Sequence, residues 1–209
     1  MHRFVMLGIT GLAIGLGIVL GLYKFQQPAG IVYKDSTDIT TSIGGDFTLT
    51  DQFGKPRSTT EFRGKILLVY FGYTYCPDVC PMALEHITKA LQMLGSDRDK
   101  ITVLFVSVDP TRDTVETLKL YSTNFDPNII MLTGSETAVQ NAMKKYRVYA
   151  KKESKPEFSD YLINHTSVVY VMGTDGAYLS SFAHSTSPDA IQSILLKILQ
   201  AQVFLSSQQ

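Results

Sequence analysis

Cysteine is scarce in this chain. Only Cys76 and Cys80 are present among 209 residues, too few for the disulfide framework on which thin-cored secreted domains depend. A chain of this length buries a core without such staples. Net charge is missing as well, since 19 Lys and Arg offset 19 Asp and Glu, and no run of five or more like charges occurs. Phosphate binding is driven by clustered Lys and Arg, so nucleic acid is excluded as a partner. There is no internal repeat and no sign of a second globular domain. The apolar N-terminus is followed by neither an Ala-x-Ala cleavage signal nor a lipid-accepting cysteine, which argues against a secretory signal peptide.

What is present begins with that N-terminus. From Phe4 to Tyr23 runs FVMLGITGLAIGLGIVLGLY, twenty residues without a charge. At about 1.5 Å per residue they span roughly 30 Å, the thickness of a bilayer's hydrocarbon core. Residues 1–24 are therefore expected to form an uncleaved single-pass anchor. The spacings Gly11 to Gly15 and Gly17 to Gly21 permit close helix packing there. A short N-terminus carrying Arg3 stays inside most easily. That orientation predicts an inner-membrane protein whose bulk faces the periplasm, where exposed thiols meet an oxidising environment. Residues 25–44, polar and turn-rich, read as a flexible tether, and residues 45–209 as the functional domain.

Within that domain, DFTLTDQFGKP (46–56) reads as a short hairpin, and KILLVYFGY (65–73) as a strand buried on both faces. MALEHITKALQML (82–94) has helical apolar spacing, and ITVLFVSVD (101–109) is a second buried strand. A helix (114–125), a strand (128–134) and a helix (135–148) follow. The charged segment 149–161 is expected to be an exposed loop or small hairpin. HTSVVYVMGTDGAYLSSFA (165–183) reads as two strands joined at Thr174-Asp175-Gly176. An amphipathic helix capped by Ser187 or Asp189 ends the order. The order is that of a thioredoxin-like α/β domain, a mixed sheet flanked by helices, with crossover helices for the parallel strands.

The two cysteines lie in FGYTYCPDVCP (71–81), where the first buried strand leaves the sheet and a helix begins, a usual place for ligands in α/β sheets. A residue before proline is pushed from the α region, so Cys76 and Cys80 should both be extended. Pro81 suits the first helical position, which leaves Cys80 just outside the helix, where the dipole favours thiolate. Thiolate is both nucleophile and metal ligand. The loop alone leaves open a redox couple and a metal clamp, while a staple closing so short a loop would constrain little.

FGYTYCPDVCP, then VSVDPTRDT (106–114), then DYLINHTSVVYVMGTDG (160–176) resemble, in the same order, the signature segments of the Sco/SenC family of copper chaperones, and the similarity extends over about residues 44 to 203. The resemblance implies a membrane-anchored thioredoxin fold that serves assembly of the dinuclear copper centre of cytochrome c oxidase. The resemblance also implies a metallochaperone rather than an enzyme, with a thiol–disulfide side activity compatible with it. By position, the copper ligands would be Cys76, Cys80 and His165, with Cys76 and Cys80 also a redox-active pair. One copper per domain is implied, as Cu(I), Cu(II) or both. The implied partners are the copper-containing oxidase subunit, a copper-donor protein and a thiol reductant, besides the membrane through residues 4–23.

The chemistry of that trio agrees, since two thiolates and an imidazole form a soft set that suits Cu(I). His165 is expected to begin a late strand facing the cysteine loop. Asp78, between the cysteines, is an auxiliary candidate as a transient ligand or a partner contact. Among the other histidines, His86 lies on another helix face, His2 across the membrane, and His184 at the rim of the site. Met82 is expected to pack in the core rather than at the metal. Asp109, Arg112 and Asp113 are read as capping and ion-pair residues that shape the site. Two positions depart from the family pattern: Tyr75 stands where histidine is common and Asn164 where aspartate is, so Asn164 removes an anionic partner for the histidine. The rival reading is an extracytoplasmic thiol–disulfide oxidoreductase. Such a protein would usually place two residues between its cysteines and a proline before the late strand, whereas no proline lies between Pro156 and Pro188. A thiol peroxidase is a third reading, without a sign of the activating Thr or Arg it needs.

Overall fold

The computed structural model describes residues 43–154 and 160–206. The expected anchor, residues 4–23, and nearly all of the expected tether lie outside the described residues. Among the described residues no helix is long and apolar enough to cross a membrane.

The strands are β1 (Thr48–Asp51), β2 (Pro56–Ser58), β3 (Ile66–Gly72), β4 (Ile101–Ser107), β5 (Ile129–Thr133), β6 (Ala150–Glu153), β7 (Leu162–His165), β8 (Val168–Met172) and β9 (Tyr178–Ala183). The α-helices are α1 (Val79–Met93), α2 (Val115–Ser122), α3 (Glu136–Tyr146) and α4 (Pro188–Ser206). Seven strands form one sheet in the order β2-β1-β5-β4-β3-β8-β9, and β6 pairs with β7 apart from it. β3, β4 and β5 run parallel, while β1, β8 and β9 join antiparallel. This is the mixed sheet expected of a thioredoxin-like domain.

The centre of the sheet is β3 beside β4, each buried along its full length. Because successive strand residues point to opposite faces, their partners locate the helices. Tyr70 faces Cys80 of α1 and the ring of Phe105, and Phe105 in turn faces Tyr121 of α2. Phe71, one residue on, meets Tyr146 of α3 and Tyr170 of β8. Thus α1 and α2 cover one face and α3 the other. α4 joins α1, tied by the Gln192 side-chain amide donating to the Met93 carbonyl at 2.8 Å. At roughly 25 cal/mol per Å² of apolar surface, this two-sided burial is what holds the strand ends in place.

Several local expectations hold with their physical causes. The Asp51 carboxylate accepts from the Phe53 and Lys55 amides, both at 2.9 Å, and closes the β1–β2 turn. Ser187 caps α4 as expected, accepting from Ala190; Thr114 and Ser135, not singled out from the sequence, cap α2 and α3. The β8–β9 hairpin turns through Gly176 at φ 79, a conformation that glycine adopts without cost.

Two expectations need correction, and a third, the small hairpin at 149–161, holds with wider bounds. The first helix starts at Val79, so Cys80 is its second residue and not an extended residue outside it. Pro81 is then the third helical position, where its missing N–H costs nothing because the first four amides of a helix have no intrahelical acceptor. The bias against α before proline yields to that packing. His165 ends β7 and does not begin a strand of the main sheet; the sheet strand starts three residues later at Val168. The segment around 149–161 contributes β6, which pairs with β7 in the register Ala150 to His165 and Glu153 to Leu162. His165 therefore sits on a small hairpin.

Candidate metal centre

The cysteine loop is built by its neighbours. Thr74 donates both its amide and its hydroxyl to the buried Asp113 carboxylate, the hydroxyl at 2.6 Å, and Ser107 Oγ donates to the same group at 2.5 Å. Burial pushes the Asp113 carboxyl's pKa upward against these donors. Asp113 thereby fixes the stretch just before Tyr75 and Cys76 to the end of β4. Gly72 brings the helix against the sheet: a Cβ there would lie 2.8 Å from Cys80 Sγ and 2.7 Å from the Phe105 ring.

The entry to α1 is capped by sulfur. Asp78 occupies the N-cap position, yet its side chain makes no cap hydrogen bond. Instead the Cys80 amide donates to Cys76 Sγ at 3.4 Å. Cys76 is half-buried and Cys80 fully buried, and both thiols are free. Contact with the Cys80 thiol first, then with His165 and the amides of Cys80 and Asp78, holds the Cys76 pKa down to about 4 against the effect of burial. The same contact, together with burial, pushes the Cys80 thiol well up. The two thiols are thus pushed in opposite directions, Cys76 toward thiolate and Cys80 toward thiol. The thiolate at the helix N-terminus is therefore Cys76, not Cys80 as the loop reading expected.

His165 approaches from the β6–β7 hairpin, with Nε2 3.5 Å from Cys80 Sγ. Its Nδ1 lies 3.0 Å from the Thr166 carbonyl. A carbonyl only accepts, so Nδ1 carries the proton and Nε2 presents its lone pair to the sulfurs. Among the described residues, Cys76, Cys80 and His165 form the one cluster of three His, Cys, Asp or Glu donors able to share an ion, all within 4.8 Å of one another.

The remaining candidates stand apart. Asp78 is exposed and outside the cluster. His184 and His86 spend Nδ1 on the carbonyls of Ser167 and Thr186. Tyr75 is exposed with the Arg112 guanidinium 4.7 Å above its ring, and Asn164 points outward, opposite Lys151 in the hairpin. Asp109 and Arg112 form an ion pair, as expected.

Two contributors went unrecognised in the sequence. The buried Tyr70 hydroxyl donates to Cys80 Sγ at 3.6 Å, and burial, followed by that sulfur, pushes its own pKa far up. Tyr73 accepts the Ile163 amide on its hydroxyl at 3.1 Å and sets its ring edge-on to His165. Period-two counting along β3 puts Tyr70 and Gly72 on one face, and that signal was available.

The sequence profile of the SCO1/SenC family matches residues 35–200. The chain belongs to the SCO1/SenC family. A SCO2-like protein of Rickettsia felis is 35% identical over 194 residues, covering 90% of this chain and 93% of its own. The copper-bound structure of Bradyrhizobium japonicum ScoI superposes with a TM-score of 0.70 at 41% identity, over 75% of this chain and 99% of that one. BsSco, described with a disulfide switch and as a member of the Sco family of cytochrome c oxidase assembly proteins, is 27% identical with a TM-score of 0.58, over 77% and 95% of the two chains.

Proposed function

We propose that this protein is a copper chaperone that binds one copper ion through Cys76, Cys80 and His165 and serves assembly of the dinuclear copper site of cytochrome c oxidase. The observation that carries the proposal is the convergence of two sulfurs and a free imidazole nitrogen from segments 85 residues apart. The donor set fits: thiolates select Cu(I), imidazole also suits Cu(II), and three protein ligands leave an open position through which cargo can be exchanged. The copper in the Bradyrhizobium relative and the oxidase-assembly description of BsSco support the same reading.

In this reading copper is cargo. Cys76, already a thiolate at the helix N-terminus, is the first sulfur ready to bind, and Cys80 gives up its proton as the ion arrives. His165 supplies the nitrogen without a change of tautomer. Residues 4–23 hold the domain at the inner membrane, facing the periplasm, with 25–44 as tether. Carbonate extraction and the mass of the mature chain test this part, and a soluble product beginning near residue 25 overturns it.

X-ray absorption on the Cu(I) form of the purified chain is expected to report two sulfurs and one nitrogen. Stoichiometric binding that survives replacement of both cysteines by alanine would sink the copper assignment. One observation favours a second reading as a thiol–disulfide oxidoreductase. A half-exposed thiolate beside a buried, protonated thiol is also the arrangement of a nucleophile and its resolving partner.

A further inference from the structure

We infer that Arg112 is a positioning residue that holds the β6–β7 hairpin, and with it the imidazole of His165, over the two cysteines. The inference rests on the copper reading above. His165 does not belong to the main sheet, so its placement depends on whatever ties the hairpin down. Three contacts at Asp160 and Tyr161 run to one guanidinium, beside those of the Tyr161 hydroxyl with Asp109 and of its ring with Lys152. Arg112 Nη1 donates to the Tyr161 carbonyl at 2.9 Å and pairs with the Asp160 carboxylate at 3.1 Å. The guanidinium carbon lies 3.6 Å from the centre of the Tyr161 ring. Arg112 Nε pairs with Asp109, and the same Asp109 carboxylate accepts the Tyr161 hydroxyl at 2.9 Å.

On the other side the guanidinium faces the cysteine loop, 4.7 Å from the Tyr75 ring and 5.8 Å from that of Tyr73. Tyr73 closes the circuit by accepting the Ile163 amide and packing its ring against His165. Arg112 thus lies between the two carriers of the site and touches none of its three donors. A planar fork suits this task. It can stack on a ring, donate to a carbonyl and meet a carboxylate at once, which an ammonium cannot do. The side chain is only 11% exposed and Asp109 is buried, so water screens that pair little, while the exposed Asp160 contributes less.

The test compares the full chain with Arg112→Lys, which keeps a positive charge beside buried Asp109 but lacks the fork, and with Tyr161→Ala, which removes the ring under the guanidinium and the hydroxyl bond to Asp109 while leaving the Arg112–Asp109 pair intact. Copper coordination is read by X-ray absorption of the Cu(I) form and by nitrogen hyperfine coupling in the electron paramagnetic resonance of the Cu(II) form. Hydrogen exchange of the Ile163 and His165 amides without copper gives a readout independent of loading. Each variant is expected to keep two sulfurs, lose or weaken the nitrogen signal, bind Cu(II) about 10-fold more weakly, the lower range for residues that orient a ligand, and exchange the hairpin amides faster. A folded variant with an unchanged nitrogen signal and Cu(II) affinity overturns the inference while leaving the copper reading intact. Loss of sulfurs together with nitrogen also overturns it, because the role would then be general stability. A parent chain with no nitrogen at copper overturns both.

Discussion

The two halves of the candidate centre are built on different principles. Cys80 is packed into the domain core, below the end of β3 and against Tyr70, with Gly72 bare to admit it. Cys76 is fixed by the helix that follows it. His165 sits on a two-stranded hairpin outside the main sheet, held by one buried apolar residue, Ile163, a few polar contacts and edge-on rings. A pair of strands alone is marginal in water, so the histidine arm depends on its ties. The sulfur arm inherits the stability of the whole core. A site that must both take up and give up an ion gains from such inequality: one side stays organised when empty, and the other can yield.

The largest expected effect breaks the weak half. His165→Ala should lower copper affinity by at least about 10-fold, the range reached even by losses behind the ligands. Because His165 is only half-buried and lies off the main sheet, the melting temperature should change little. The Cys76–Cys80 couple should still cycle between dithiol and disulfide. Copper titration, thermal unfolding and thiol redox titration of one variant check all three outcomes. Retained affinity together with retained oxidase assembly would favour the redox reading.

A second change strikes the strong half. Gly72→Ala pushes a methyl to 2.8 Å from Cys80 Sγ and 2.7 Å from Phe105, neither of which has room to move in a closed core. Overpacking of this kind costs about 1–3 kcal/mol. Denaturant unfolding should show that loss even in the copper-free protein, unlike His165→Ala. An unchanged midpoint would mean the cysteine loop is softer than its packing implies.

The smallest effect sharpens the contrast within the cysteine pair. Thiolate is the reactive form, and the Cys76 pKa lies below the ordinary thiol range while that of Cys80 lies above it. Limited iodoacetamide treatment of the reduced, copper-free protein should therefore label Cys76 first. Its rate should stay nearly level as pH falls from 8 toward 5 and drop only near pH 4, whereas an ordinary thiol slows about tenfold per pH unit below its pKa. Peptide mass mapping across pH reads this directly. Preferential labelling of Cys80 would reverse the assignment.

Much of this centre could be read from the chain. Continuous apolar runs marked β3 and β4 as two-sided strands, and the cysteine segment at the end of β3 followed. The trio itself came from three ordered segments resembling a family, with the soft donor set in agreement. What escaped has physical reasons. The apolar run Val168–Val171 follows His165 after only Thr166 and Ser167, and periodicity carries no mark for the change of sheet there. The β6 strand, AKKE, is half exposed and charged, so only its partner defines it. Cys-Pro suggested an extended Cys80, but tertiary packing overrode that local preference. The link from Arg112 to Tyr161 joins residues 49 apart, a contact no local pattern encodes.

The sealed position of Cys80 has a consequence for the order of events during hand-over. Cys80 shows no surface to solvent, whereas Cys76 and His165 are both partly open. In the proposed copper reading, an incoming thiolate or imidazole from an acceptor can reach the ion only from the Cys76 and His165 side. Exchange is then directional in sequence as well as in space: the open donors are replaced first, and Cys80 is the last to let go. An acceptor that stops halfway leaves the ion still leashed to the chaperone by one sulfur, so an interrupted encounter returns the cargo instead of losing it to bulk solution.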